Sequence, residues 1–199
     1  RAYKAAENEK LFGEYASRLD RFYEKAKDLR RLSVIETGDR GKLVIYCGEA
    51  DISGFELKKT LRERYLIECE MAMPAYCLAM TSVADTDEGF DRLISALFEI
   101  DGTLKSGSGF IPLSPPKAEK ASGKYEAAHS IPLPLGGLLG KTSAEFVYAY
   151  PPGSPLIAPG EVFSEEIIGY IRQVFSCGGQ IYSSKGGFPD FLYVFEEKH

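Results

Sequence analysis

The 199 residues include no tryptophan, two histidines and four cysteines, and each scarcity removes a class of chemistry. Cys47, Cys69, Cys77 and Cys177 stand in apolar stretches without CxxC spacing. With only His129 and His199 to join them they offer no zinc-type ligand set, so no metal site is expected. The thiols read as buried and reduced. No apolar run approaches the ~20 residues that cross a bilayer. The first residues are charged rather than signal-like, which points to a cytoplasmic protein without a membrane partner. Positive charge is not in excess either. A net charge of −5 and a pI near 5.2 provide no broad footprint for nucleic acid. No internal repeat or low-complexity tract appears, which sets solenoids aside. The chain also lacks an initiator methionine and opens inside a helical pattern, so an excised piece of a longer protein is expected.

What is present is the composition of an ordinary globular protein, 44% hydrophobic and 27% charged. Over residues 2–30 the apolar positions Leu11, Tyr15, Leu19, Phe22, Ala26 and Leu29 recur every three or four residues, predicting a long amphipathic helix. Short strands are predicted at 32–36 and 43–47, around a turn at Gly38, Asp39 and Gly41. Ser53-Gly54-Phe55-Glu56 reads as a capping box opening a helix to Tyr65. Strands at 66–70 and 76–81 follow, and Asp85 with Glu88 repeats the capping pattern before a helix through Phe90, Leu93, Leu97 and Ile100. The order is α-β-β-α-β-β-α. Residues 105–124 then turn to Gly, Ser, Pro and Lys, a boundary or crossing segment, which divides the chain into 1–106 and 107–199. The remainder predicts a strand at 145–150, a helix from Ser164 to Phe175 and strands at 180–183 and 191–195. An α+β fold is expected, a two-layer unit followed by a smaller α+β domain.

Few constellations suggest chemistry. Gly136-Gly137-Leu138-Leu139-Gly140-Lys141-Thr142 imitates a phosphate-cradling loop, but Leu135 stands where the first glycine is required and a β-like segment follows instead of a helix. His129, between Ala128 and Ser130, has no nucleophile motif around it and reads as a surface or boundary residue. Glu68 and Glu70 flank Cys69, so in a strand both acids would share one face opposite the thiol. Two acids on one face can recognise a cation, although solvated surface acids have the same pattern. The segment YPPGSPLIAPGE over 150–161 holds four prolines and two glycines, and fixes a rigid, shaped connection to the Ser164 helix or the wall of a site or interface.

That last run, with Tyr150, Pro151, Pro152, Gly153, Pro159, Gly160 and Glu161 ahead of Ser164-Glu165-Glu166-Ile167-Ile168, resembles the motif near the C-terminus of Orn/Lys/Arg decarboxylases. The passage LRERYLIECEM over 61–71, with Ser82 and Asp85 beyond it, is similar to the family's Gly-Ile-x-x-Glu passage and the turn that follows. Tyr65 is read as standing where a glycine is usual, Ala84 departs in the turn and Ser154 in the proline run. The resemblance covers most of the chain. It implies that residues 1–106 are the small C-terminal subdomain of the major domain of a fold-type-I enzyme dependent on pyridoxal 5'-phosphate (PLP), and 107–199 the family's C-terminal domain.

It implies further a carboxy-lyase acting on arginine, lysine or ornithine, in polyamine metabolism, with Glu70, and less directly Glu68, at the cationic end of the substrate. Glu161 is a weaker candidate, since an acid at a helix entrance can simply complement the dipole. The Schiff-base lysine sits in Ser-x-His-Lys in this family, and Ser183-Ser184-Lys185 lacks the histidine. Catalytic residues are therefore expected in an N-terminal PLP-binding domain outside this chain. The piece alone is expected to be inactive and to bind no cofactor tightly, and the intact enzyme to be a homo-oligomer. A transaminase-like relative of the same fold, or a non-catalytic assembly or binding module, is the alternative reading.

Overall fold

A computed structural model describes residues 8–107, 116–121, 129–150 and 153–196. The chain forms two compact units, Arg1–Ile111 and Pro112–His199. The fold is α+β.

The first unit begins with α1 (Glu9–Ala26), whose Asn8 cap accepts from the Leu11 N–H and whose Leu19, Phe22 and Ala26 are buried. Then come β1 (Ser33–Ile35), β2 (Lys42–Tyr46), α2 (Gly54–Tyr65), β3 (Met71–Met73), β4 (Tyr76–Met80) and α3 (Asp87–Asp101). The predicted order of elements is the observed one. The strands form one antiparallel sheet in the order β1-β2-β4-β3. Period-two alternation sorts its faces. Leu43, Ile45, Ala72, Cys77 and Ala79 enter a core shared with Leu57 and Leu61 of α2 and Phe90, Leu93 and Leu97 of α3. Val44, Tyr46, Tyr76 and Leu78 have the other parity and are half-buried.

The Ser53 capping box is present in full: the Ser53 hydroxyl accepts from the Glu56 N–H and the Glu56 carboxylate from the Ser53 N–H. Gly54 is required by proximity, because a Cβ there would lie 2.0 Å from the Tyr76 carbonyl oxygen and 2.2 Å from that of Met73. Two local expectations are corrected. The cap of α3 is Thr86, which accepts from Gly89 N–H; the Asp85 carboxylate instead accepts from the Ser82 N–H and hydroxyl, closing the preceding turn. Residues 66–69 form no strand, for a reason given below.

The second unit holds β5 (Glu119–Lys120), β6 (Ser130–Leu133), a 3₁₀ turn at Leu135–Gly137, β7 (Val147–Tyr150), β8 (Pro155–Ile157), β9 (Glu161–Val162), α4 (Glu165–Ser176), β10 (Gln180–Ser183) and β11 (Leu192–Phe195). They pair antiparallel as β10-β7-β8, β11-β6 and β5-β9. Helix α4 is capped by the Ser164 hydroxyl and buries Ile167, Ile168, Ile171 and Val174. Three of the four cysteines are buried thiols; Cys177, at the end of α4, is half-buried, which corrects the expectation of burial for all four. Among the described residues no group of histidine, cysteine or acid side chains could hold a metal, and no helix is long and apolar enough to cross a membrane.

Candidate functional site

The acids Glu68 and Glu70 lie on the passage between α2 and β3. Helix α2 stops because Leu66 takes the left-handed conformation, φ 55° and ψ 39°, while the Ile67 N–H reaches back to the Leu61 carbonyl. That reversal replaces the predicted strand at 66–70: ladder pairing begins only at Met71, with a single earlier bond from the Glu70 N–H to the Leu78 carbonyl at 2.8 Å. The alternation of burial nevertheless holds, with Cys69 buried between two exposed acids. Leu66 also corrects the alignment of the Gly-Ile-x-x-Glu passage. Counted back from Glu70, the glycine position falls on Leu66 rather than Tyr65, and it is Leu66 that adopts the backbone glycine takes without penalty.

The two acids have different surroundings. Glu68 is held by Arg62, Nε to Oε2 3.2 Å, and lies 3.9 Å from the Lys58 ammonium. It also lines a cleft of about 190 Å³ together with Leu66, Met80, Thr81, Asp85 and Arg92. Glu70 is outside that cleft. Its backbone carbonyl accepts from Lys58 Nζ at 3.1 Å, and its exposed carboxylate has no hydrogen bond or ion pair among the described residues. Of the two, Glu70 is the carboxylate available to an incoming cation.

In the second unit the proline-rich run does structural work. Pro151 and Pro152 lie outside the described residues. Tyr150 ends β7, 55% exposed, with its ring edge-on to Tyr182. Gly153 and Gly160 both have φ +88°, the reversals that let β8 fold back on β7 and the chain re-enter at β9. Pro159 is exposed, and the Glu161 carboxylate accepts from the Ala158 N–H at 2.7 Å. Glu161 is thereby committed to its own turn, four residues before α4, rather than to the helix dipole. His129 is exposed, and His199 lies outside the described residues.

Two buried acids were not legible as such in the sequence. Asp101, the last residue of α3, accepts from three consecutive backbone N–H groups, those of Arg30, Arg31 and Leu32, at 2.7–3.0 Å. Glu145 is 1% exposed and accepts from the N–H groups of Tyr193 at 2.6 Å and Lys185 at 2.9 Å. An acid ending an apolar helix, against the dipole, was the one available signal for Asp101.

A PLP site requires a lysine able to form an imine and an acidic or basic partner for the pyridine nitrogen. No described lysine is buried; Lys58 and Lys141 are half-buried, and Lys58 is engaged by the segment carrying Glu68 and Glu70. Lys185 is exposed, with its ammonium on the Ser130 hydroxyl and 4.7 Å from the Tyr193 ring centre. The described residues do not fit the cofactor's own pocket.

Comparison with known proteins gives a consistent pattern. The family model described as "Orn/Lys/Arg decarboxylase, C-terminal domain" matches residues 112–181. The chain is 33% identical over 142 residues to an arginine decarboxylase of Halalkalibacterium halodurans, an alignment covering 68% of this chain and 29% of that protein. It is 30% identical over 167 residues to an arginine decarboxylase of Bacillus subtilis, covering 80% and 34%. The chain thus spans about a third of the length of the curated relatives it matches. The fold is shared with the lysine decarboxylase of Francisella novicida, TM-score 0.60 at 16% identity, over 94% of this chain and 40% of that one. It is shared equally with the constitutive lysine decarboxylase of E. coli, TM-score 0.58 at 15% identity, over 94% and 41%.

Proposed function

From the premise that the chain belongs to the Orn/Lys/Arg decarboxylase family, we propose that it completes the substrate site and subunit structure of a PLP-dependent decarboxylase of a basic amino acid. The cofactor and its Schiff-base lysine belong to a part of the enzyme outside these residues. In this reading the first unit supplies the contact to the substrate's distal cation, and the second contributes to assembly of a homo-oligomer.

The observation that carries the site is the contrast between the two acids. The Glu68 carboxylate is paired with Arg62, whereas the Glu70 carboxylate is exposed and unengaged among the described residues. A carboxylate accepts equally from an ammonium or a guanidinium, so Glu70 suits arginine, lysine and ornithine alike. Its backbone, fixed on one side to Leu78 and on the other to Lys58, sets where that carboxylate is presented.

Two measurements test the reading. The chain alone, given PLP and L-arginine, L-lysine or L-ornithine, is expected to release no carbon dioxide; robust turnover would overturn the assignment of the catalytic lysine to residues elsewhere. The longer protein that contains it is expected to yield carbon dioxide and the corresponding amine. A keto acid product would replace decarboxylation with amino transfer.

A further inference from the structure

The passage that carries Glu68 and Glu70 holds a second feature, which the decarboxylase reading does not use. Cys69 and Cys77 lie side by side in the core of the first unit, with Cys77 Sγ donating to Cys69 Sγ at 4.0 Å. Both are buried, at 1% and 0% exposure. A disulfide has a sulfur separation near ~2.05 Å and ordinarily joins residues whose Cβ atoms are already neighbours. Thiols in van der Waals contact therefore need only modest side-chain rotation to join. Cys69 belongs to the irregular segment between Leu66 and Met71, which is tied to β4 by one backbone hydrogen bond, whereas Cys77 is fixed within β4 between β2 and β3. One sulfur is thus on a strand paired on both sides, and the other on an irregular segment held to β4 by a single backbone bond and otherwise by surface contacts from Lys58 and Arg62, which open locally at lower cost than a central strand. The thiols do not form a metal site among the described residues.

We propose that Cys69 and Cys77 are a redox-active dithiol whose oxidation to a disulfide pins the acidic segment 66–70 to β4. The two thiols are unequal in a way that suits exchange. The hydrogen bond with Cys77 holds the Cys69 thiol below its ordinary pKa, while that same bond, together with burial, pushes Cys77 well up. Cys69 is the nucleophile. With a small-molecule disulfide as oxidant, the Cys69 thiolate attacks one sulfur and expels a thiolate, leaving a mixed disulfide on Cys69. Cys77 loses its proton and attacks the Cys69 sulfur, expelling the second thiolate. Two protein thiols and one small disulfide become one internal disulfide and two small thiols, with two electrons passing to the oxidant. The consequence falls on Glu68 and Glu70, whose backbone becomes covalently anchored.

The test uses the full chain and glutathione disulfide. After exposure the protein is quenched in acid, denatured, labelled with N-ethylmaleimide and digested with trypsin, which leaves both cysteines on the peptide 65–92. That peptide is expected to lose two hydrogens and take no maleimide. Cleavage after Glu70 should not separate its halves until a reductant is added. Cys47→Ser should leave the linkage unchanged. The proposal is overturned if peptide 65–92 takes two maleimides while Cys177 has exchanged with glutathione, if glutathione stays on Cys69, or if the bridge forms to Cys47.

Discussion

Asp101 and Glu145 are side chains whose removal should affect the fold sharply, because each buried carboxylate accepts from backbone N–H groups of a distant segment that are wholly or partly buried. Asp101 serves three N–H groups where the chain turns from α1 towards β1. Hydrogen bonds to a charged acceptor are worth ~1.5–3 kcal/mol, and an unsatisfied buried donor costs ~1–3 kcal/mol. Asp101→Asn, which keeps the shape but loses the charge and places an amide against donors, is expected to lower stability by about 2–3 kcal/mol, seen as a lower urea midpoint at unchanged slope. The residue-scale prediction for function concerns Glu70. On the proposed role of Glu70, Glu70→Gln in the longer protein is expected to remove a charge-assisted bond to the substrate's distal cation, ~1.5–3 kcal/mol. At ~1.4 kcal/mol per tenfold, KM should rise by about tenfold to a hundredfold, with a smaller change in kcat. An unchanged KM would remove Glu70 from the site.

Helix ends dominate at the scale of elements. The α2 terminus places a leucine in the left-handed region, 78% exposed, where the side chain gains nothing by burial. That backbone costs a non-glycine residue ~1–2 kcal/mol, partly offset by the greater entropy glycine loses on folding. Leu66→Gly should therefore stabilise the chain by about 0.5–1 kcal/mol, measured as a higher thermal midpoint. A loss of stability would mean that the Leu66 side chain, which lines the cleft with Glu68, has a packing role.

The start of α3 gives a pH dependence. The carboxylate of Glu88 is held below its ordinary pKa by a hydrogen bond from its own backbone N–H and by Thr86, and that of Asp91 by the Lys25 ammonium 2.8 Å away. Both folded values are depressed, so their stabilising contribution is present above the usual carboxylate range, ~4, and is lost as pH falls through the lower folded values. The thermal midpoint should fall between about pH 5 and 3, and Glu88→Gln with Asp91→Asn should flatten that fall. The Asp91 part should also shrink with added salt, since its ion pair with Lys25 is exposed.

For the whole molecule, two kinds of pattern are legible in the sequence. Amphipathic spacing and capping signals gave the α-β-β-α-β-β-α order of the first unit, because helix and strand periods are local properties of side-chain direction. The capping box at Ser53 was readable for the same reason: its partners are three residues apart. The cap of α3 was misplaced by one residue because Asp85 and Thr86 are both competent cap residues, and only the turn at Ser82 decides which is occupied elsewhere. The strand expected at 66–70 failed because a left-handed leucine carries no sequence signal.

The sequence by itself determined the class of fold, the family resemblance carried by the proline-rich run and the pair of acids around Cys69, since all of these are encoded by neighbours along the chain. Tertiary structure alone decided which acid is engaged and which is available, that Glu161 serves its own turn, that Asp101 and Glu145 are buried ties, and that Cys69 meets Cys77. Those outcomes depend on groups brought together from separate segments, as Asp101 is to residues 30–32. Periodicity can place a side chain on a face, but not name what it meets there.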